Sequence, residues 1–223
     1  MDKFIDIHTH QIPNDNSILA VKNYILGIDE IDNQNFFSAG IHPWYIDEAQ
    51  STRPLLKKII NRKNCVAIGE CGLDLMQKIL NKYDLKQQQD VFIMQAGLAE
   101  IYRKPLIIHC VKCFDKLMLI KKTFKPESAW IIHGFNKNKD LAQQLVKAGF
   151  YLSFGISLFK NKKNREALKI MPLNRIFFET DDQIGYDIKK IYKEAAAIKD
   201  MTLADLQKQI NKNFETVFLK PKP

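Results

Sequence analysis

Residues 4–10 read FIDIHTH, from Phe4 to His10. In an extended strand, residues i and i+2 share a face, so His8 and His10 point the same way. Two imidazoles at that spacing can grip one cation. Asp6 shares their face one step deeper, where a hydrogen bond to a ligand histidine is its expected task. A lone histidine is more often structural than a ligand, so the meaning of this stretch depends on what the rest of the chain brings to it.

Working outward, short β-branched or aromatic runs recur, and most are followed by a helical stretch. Strands are predicted at Lys3–Ile7, Ala20–Leu26, Phe36–Ile41, Cys65–Gly69, Pro105–His109, Trp130–His133, Phe150–Phe154 and Arg175–Thr180. They are nearly continuous apolar runs, as in strands buried on both faces. Helical spacing fills residues 84–104. It also fills residues 137–149, which close on Gly149 as a C-cap, and residues 202–218, which open on a Thr202/Asp205 capping pair. Eight strands alternating with helices predict a TIM-type (β/α)8 barrel as a single domain over residues 1–223. At roughly 28 residues per unit it is small. Nine residues separate His10 from Ala20, and nine separate Leu26 from Phe36. Parallel crossovers usually need about a dozen or more, so the early helices are expected to be short or missing. An open parallel sheet is the competing fold.

With 223 residues and 46% hydrophobic content, the chain has enough apolar material for a core and is not disordered. No apolar run approaches the ~20 residues of a membrane span. Asp2, Lys3 and Asp6 interrupt any signal-like start. Four cysteines do not make a disulfide framework at this length. A soluble, cytoplasmic protein with no obligate protein partner is expected. The net charge is +9, with 10 basic and 13 acidic groups in residues 1–100 against 24 and 12 in residues 101–223. A basic half fits a polyanionic partner. Lysine outnumbers arginine 29 to 5, so a compositional bias explains it equally well.

All five histidines (His8, His10, His42, His109, His133) fall at C-terminal ends of predicted strands. Glu70 follows the fourth strand and Asp181 the eighth. In a parallel barrel these ends open on one face, where barrel active sites lie. A metal centre follows from that convergence. Glu179 shares Asp181's side of its strand and is expected to be a buried partner, whereas Asp182 reaches outward. Lys112, Lys137, Lys139, Lys160, Lys162, Lys163 and Arg165 all lie beyond strand ends. They suit either a nucleic-acid backbone or ordinary solvated helix starts. The Cys110–Cys113 stretch, CVKC, lacks the second half of a four-cysteine zinc site. Cys65 and Cys71 are expected to be small core or loop residues.

FIDIHTH, AGIHPW, AIGECGLDL, PLIIHC, IIHGF, YLSFG and FFETDD follow one another across residues 4–182. Together they resemble the TatD family of metal-dependent deoxyribonucleases, a branch of the amidohydrolase-like barrels. The resemblance implies a site for two divalent ions (Mg, Mn or Zn). His8, His10 and Asp181 would hold one, His109 and His133 the other, and Glu70 would bridge them. Such a cation pair activates a water and clamps the oxygens of a phosphodiester. Asp181 and Glu70 would be the catalytic carboxylates, with Asp181 taking the water's proton. His42 would lie near the substrate phosphate, although the histidine before Pro43 could equally fix its loop. Trp44 is placed to stack on a base or to cap the barrel, and Lys112 to meet phosphate. DNA is the implied substrate.

The sequence departs from the family in two places. The Arg/Asn/Glu/Pro stretch usual after FFETDD is replaced by DQIGYDIKKIYKEAAAI, and Val111 and Lys112 stand where relatives often carry an arginine. A hydrolase of amides, lactones or small phosphoesters on a related barrel is the alternative. That class often bridges its metals with a carboxylated lysine, and no lysine sits at the end of strand four.

Overall fold

The computed structural model describes residues 2–31, 34–183 and 185–219. They fall into two compact units. Unit one is built from Met1–Lys22 and Ile132–Lys220, and unit two from Asn23–Ile131.

Eight strands form one sheet whose neighbours follow chain order. They are β1 (Phe4–Thr9), β2 (Ile18–Ile25), β3 (Phe37–Gly40), β4 (Cys65–Asp74), β5 (Leu106–Val111), β6 (Trp130–Ile132), β7 (Tyr151–Phe154) and β8 (Ile176–Phe178). The ladders are parallel, with β1 on β2 and β7 on β8 in unit one and β3 on β4 and β4 on β5 in unit two. The last strand returns to the first through a parallel bridge between Thr9 and Asp181. That return excludes an open sheet and gives the expected TIM-type (β/α)8 order.

Helices begin only after β3: α1 (Ala49–Ile60), α2 (Gln77–Leu80), α3 (Leu85–Tyr102), α4 (Phe114–Phe124), α5 (Lys139–Lys147), α6 (Lys162–Ile170), α7 (Ile188–Lys199) and α8 (Leu203–Phe214). Among the described residues, none between β1 and β2 or between β2 and β3 is helical, as the short spacings required. The first connection turns on Asp15, whose carboxylate accepts from the Ser17 amide at 2.8 Å and from Lys189 of α7 at 2.5 Å. The later helices carry their start and stop signals in the sequence. Asp84 and Gln87 form a capping box on α3, Asn138 caps α5, and Thr202 accepts from the Asp205 amide at the start of α8. Gly149, with φ 83°, follows α5 as expected of a C-terminal glycine.

Most strand limits differ from the sequence reading by a residue or two; β8 stops at Phe178, two residues before Thr180, and three differences bear on the site. β1 runs on to Thr9, so His8 lies inside the strand; β4 runs five residues beyond Gly69, to Asp74; and β5 runs two beyond His109, to Val111. Glycines at 69 and 72 look like strand breakers. In the fold, Gly72 pairs with His109, and a Cβ added to it would sit 2.0 Å from the His109 carbonyl oxygen. The glycine permits close strand approach instead of ending the strand.

In unit one, Ile5, Ile7, Phe177, Phe178 and Ile191 are fully buried. The Tyr192 hydroxyl of α7 donates to the Ile5 carbonyl and accepts from the Ile5 amide, each at 3.0 Å, pinning β1 to the helix. In unit two, Ile68, Leu73 and Ile107 pack with Phe92 of α3, whose ring meets Trp130 edge-on at 5.1 Å. No helix among the described residues is long and apolar enough to cross a membrane.

Candidate metal centre

Unit one gathers His8, His10, His133, Glu179 and Asp181. The backbone does the placing. The Asp181 amide donates to the His8 carbonyl at 2.9 Å, and the His10 amide donates to the Asp181 carbonyl at 3.1 Å. Asp181 adopts φ 56°, a left-handed conformation that aspartate tolerates better than most residues. Its Oδ1 then lies 3.5 Å from His8 Nε2 and 3.8 Å from His10 Nε2. The three residues each offer a ligand atom within 4.8 Å of the others, and so do His133, Glu179 and Asp181. Asp181 belongs to both groups. The His8 and His133 rings are 4.3 Å apart between centroids.

Glu179 is 1% exposed. Its Oε1 accepts from the amide of Gly134, whose φ of 59° aims that N–H inward, and lies 3.7 Å from His133 Nδ1. Its other oxygen, Oε2, is buried with no hydrogen-bond partner among the described residues. A buried carboxylate oxygen in that condition, beside imidazole nitrogens and a second carboxylate, fits a divalent cation. The buried partner expected at Glu179 is therefore present, and Asp182 is exposed as expected.

Asp6 bonds to a ligand histidine as expected, through the His8 backbone amide. Its Oδ1 accepts from the His8 and Thr180 amides at 3.3 and 3.2 Å, and its Oδ2 from the Thr180 hydroxyl at 2.6 Å. Burial pushes the Asp6 carboxyl up to about 7 against the Thr180 hydrogen bonds that favour its ionised form.

Unit two gathers His42, Glu70, Asp74 and His109. Glu70, Gly72 and Asp74 alternate along β4, so both carboxylates face one side and flank the His109 ring. His109 Nδ1 lies 2.7 Å from Glu70 Oε1, and its Nε2 lies 3.2 Å from Asp74 Oδ2. His42 Nδ1 accepts from the Trp44 amide at 3.2 Å, which leaves the proton on Nε2, 3.2 Å from Glu70 Oε1. His42, Glu70 and His109 also offer ligand atoms within 4.8 Å of one another. The Trp44 indole donates to Asp74 Oδ2 at 2.7 Å, and Lys78 Nζ lies 4.9 Å from the ring centroid. Burial presses the Asp74 carboxyl upward, but hydrogen bonds from His109, the Met76 amide and Trp44 outweigh it and hold the group below its ordinary range.

Helix α3 supports this cluster from behind. The Gln95 carboxamide accepts from the Ile41 amide at 2.8 Å and donates to the Ile41 carbonyl at 3.0 Å, fixing the residue before His42. Gln88 does the same for Asp74, accepting from its amide at 2.8 Å and donating to its carbonyl at 3.1 Å. Asp74, Gln88 and Gln95 are the site residues that the sequence reading missed. For Asp74 the signal was present, four residues after Glu70 on the same face. Lys112 is exposed with φ 58°, and Lys137, Lys139, Lys160, Lys162 and Lys163 are exposed on unit one. Arg165 is different, because its guanidinium binds the Leu158 carbonyl and Glu194 of α7.

The profile of TatD related DNases matches residues 14–219. An uncharacterized metal-dependent hydrolase of Buchnera aphidicola is 36% identical over 161 residues, covering 71% of this chain and 60% of that protein. The 3'-5' ssDNA/RNA exonuclease TatD of Erwinia tasmaniensis is 28% identical over 149 residues, 65% of this chain and 56% of that protein. The chain thus spans less than two thirds of the length of either relative. The crystal structure of YJJV, a TatD homolog from Escherichia coli K12, superposes with a TM-score of 0.83 at 20% identity, covering 99% of both chains. That likeness supports the barrel fold. The chain belongs to the family of TatD related DNases.

Proposed function

We propose that residues 1–223 form one hydrolase domain that cleaves phosphodiester bonds of nucleic acid, DNA first, with two divalent ions. The observation that carries the proposal is the convergence of His8, His10 and Asp181 ligand atoms within 4.8 Å of one another. His8, His10 and Asp181 would hold one ion, with His133 and Glu179 beside them, and Glu70 and His109 would serve the second. When bound, divalent ions make a water acidic near neutral pH and neutralise charge on the phosphodiester oxygens. Asp181 accepts the proton of the attacking water. His42 acts through Glu70: with Nδ1 occupied by the Trp44 amide, its Nε2–H orients that carboxylate beside the substrate phosphate. Trp44, tethered to Asp74, offers a ring to a base, and Lys112 a charge to the backbone. The deoxyribonuclease and exonuclease names of relatives support a nucleic-acid substrate.

The test is turnover of single-stranded DNA, duplex DNA, RNA, a simple phosphodiester and a lactone, with Mn²⁺ or Mg²⁺ and with EDTA. Cleavage of DNA that stops with EDTA and is lost in His109→Ala supports the proposal. Turnover of the lactone alone, or DNA cleavage indifferent to chelator, defeats it.

A further inference from the structure

Cys110 ends on the face of β5 opposite His109, and Cys113 is the N-cap residue of α4. Lys112, with φ 58°, turns the chain between them and brings the two sulfurs to 3.4 Å. Cys113 is fully buried and also contacts the Leu73 carbonyl at 3.2 Å, whereas Cys110 is half-buried. The Cys113 thiol makes no capping hydrogen bond to α4. The metal reading uses neither sulfur. Cys65 and Cys71 are buried, and their thiols bond to the carbonyls of Ala67 and Ile107. Burial pushes the Cys65 thiol up to about 11 and raises that of Cys71 as well. Only one pair is therefore both adjacent and reachable.

We propose that Cys110 and Cys113 form a reversible oxidation site that closes to an intramolecular disulfide under a peroxide. A disulfide has its sulfurs about 2.0 Å apart, so closure requires an approach of roughly 1.4 Å, within reach of side-chain rotation at a half-exposed turn. The Cys110 sulfur attacks one peroxide oxygen. The O–O bond breaks, a sulfenic acid forms, and hydroxide leaves to take up the thiol proton as water. The Cys113 sulfur then attacks the Cys110 sulfur. The S–S bond forms, the S–O bond breaks, and the hydroxyl departs with the Cys113 proton as a second water. Two thiols and one peroxide give one disulfide and two waters, with two electrons passing from sulfur to oxygen. The bridge would fix the peptide units directly after His109.

The full chain is exposed to hydrogen peroxide, denatured, alkylated and mapped by mass spectrometry. Two of its four thiols should escape alkylation. The unalkylated mass should fall by about 2 Da. Trypsin, cutting after Lys112, should leave a peptide ending at Lys112 linked to one beginning at Cys113, and dithiothreitol should separate them. Cys113→Ser should instead carry Cys110 to the sulfinic acid, about 32 Da heavier. Retention of all four thiols, or a bridge through Cys65 or Cys71, overturns the proposal. The readout needs no catalysis, so its failure says nothing against the metal reading.

Discussion

Gly72→Ala should damage fold and site together. A Cβ at this position falls 2.0 Å from the His109 carbonyl oxygen and 2.9 Å from its carbon, below the 3.0 Å that real Cβ atoms keep. The two strands must part by about 1 Å, a misplacement that can cost on the order of 10²-fold in rate. The φ of 145° adds strain for a residue with a side chain, about 1–3 kcal/mol. Moving His109 also stretches its 2.7 and 3.2 Å contacts to Glu70 and Asp74. Losing one charge-assisted hydrogen bond costs about 1.5–3 kcal/mol. A total of about 2.5–6 kcal/mol lowers the Tm of a chain this size by roughly 5–24 °C. Gly97→Ala is the matched control, because a Cβ there meets nothing within 4 Å and the residue lies inside α3. It should gain about 1 kcal/mol and melt roughly 2–4 °C higher. Thermal melts by circular dichroism and Mn²⁺-supported DNA cleavage are the assays. A Gly72→Ala protein that melts within about 1 °C of wild type and keeps its activity refutes the reasoning.

Metal binding should itself stabilise the chain: Mn²⁺ at a hundred times its Kd adds about 2.7 kcal/mol, a rise of roughly 5–10 °C that EDTA removes. Asp181→Asn should lose most of that rise, and identical melts with Mn²⁺ and with EDTA would remove the ligand set. Tyr192→Phe strips both Ile5 hydrogen bonds and should cost about 1–3 kcal/mol, with kcat unchanged; an unshifted melt counts against the clamp. The Lys189 hydrogen bond to Asp15, followed by those from Ser17, holds the Asp15 carboxyl below its ordinary 3.8 in the folded chain. The unfolded chain therefore binds the proton more readily, and the contribution is complete above the ordinary value and lost as pH falls through the depressed one. Wild type and Asp15→Asn should differ in Tm at neutral pH and converge in strong acid, and a constant gap would contradict the linkage.

Much of the site was legible because its ligands obey a period of two. His8 and His10 declare a shared face in the sequence, whereas Glu179 and Asp181 lie beyond the end of β8 and a left-handed turn at Asp181 brings it to the histidines. Glu70 and Asp74 obey the same period, yet Asp74 was hidden because Gly69 and Gly72 read as the end of a strand. Asp6 was placed on the correct face and bonds to His8, but its second partner, Thr180, is 174 positions away and local spacing says nothing of it. Gln88 and Gln95 were invisible for a similar reason: a carboxamide in a helix gives no hint that it holds a backbone 14 or 54 residues upstream. Arg165 looked like its lysine neighbours until α7 supplied Glu194. The missing early helices followed from chain length alone, because nine residues leave little room for one.

Gln88 and Gln95 stand seven residues apart on α3, close to two full turns, so both carboxamides leave the helix on the same side. Adding or deleting one residue between them would swing one of the pair through about 100° and release either Asp74 or the residue before His42. Length variation among relatives should therefore avoid the interval 88–95 and collect at the helix ends, making this stretch a measuring rod that evolution can recolour but not cut.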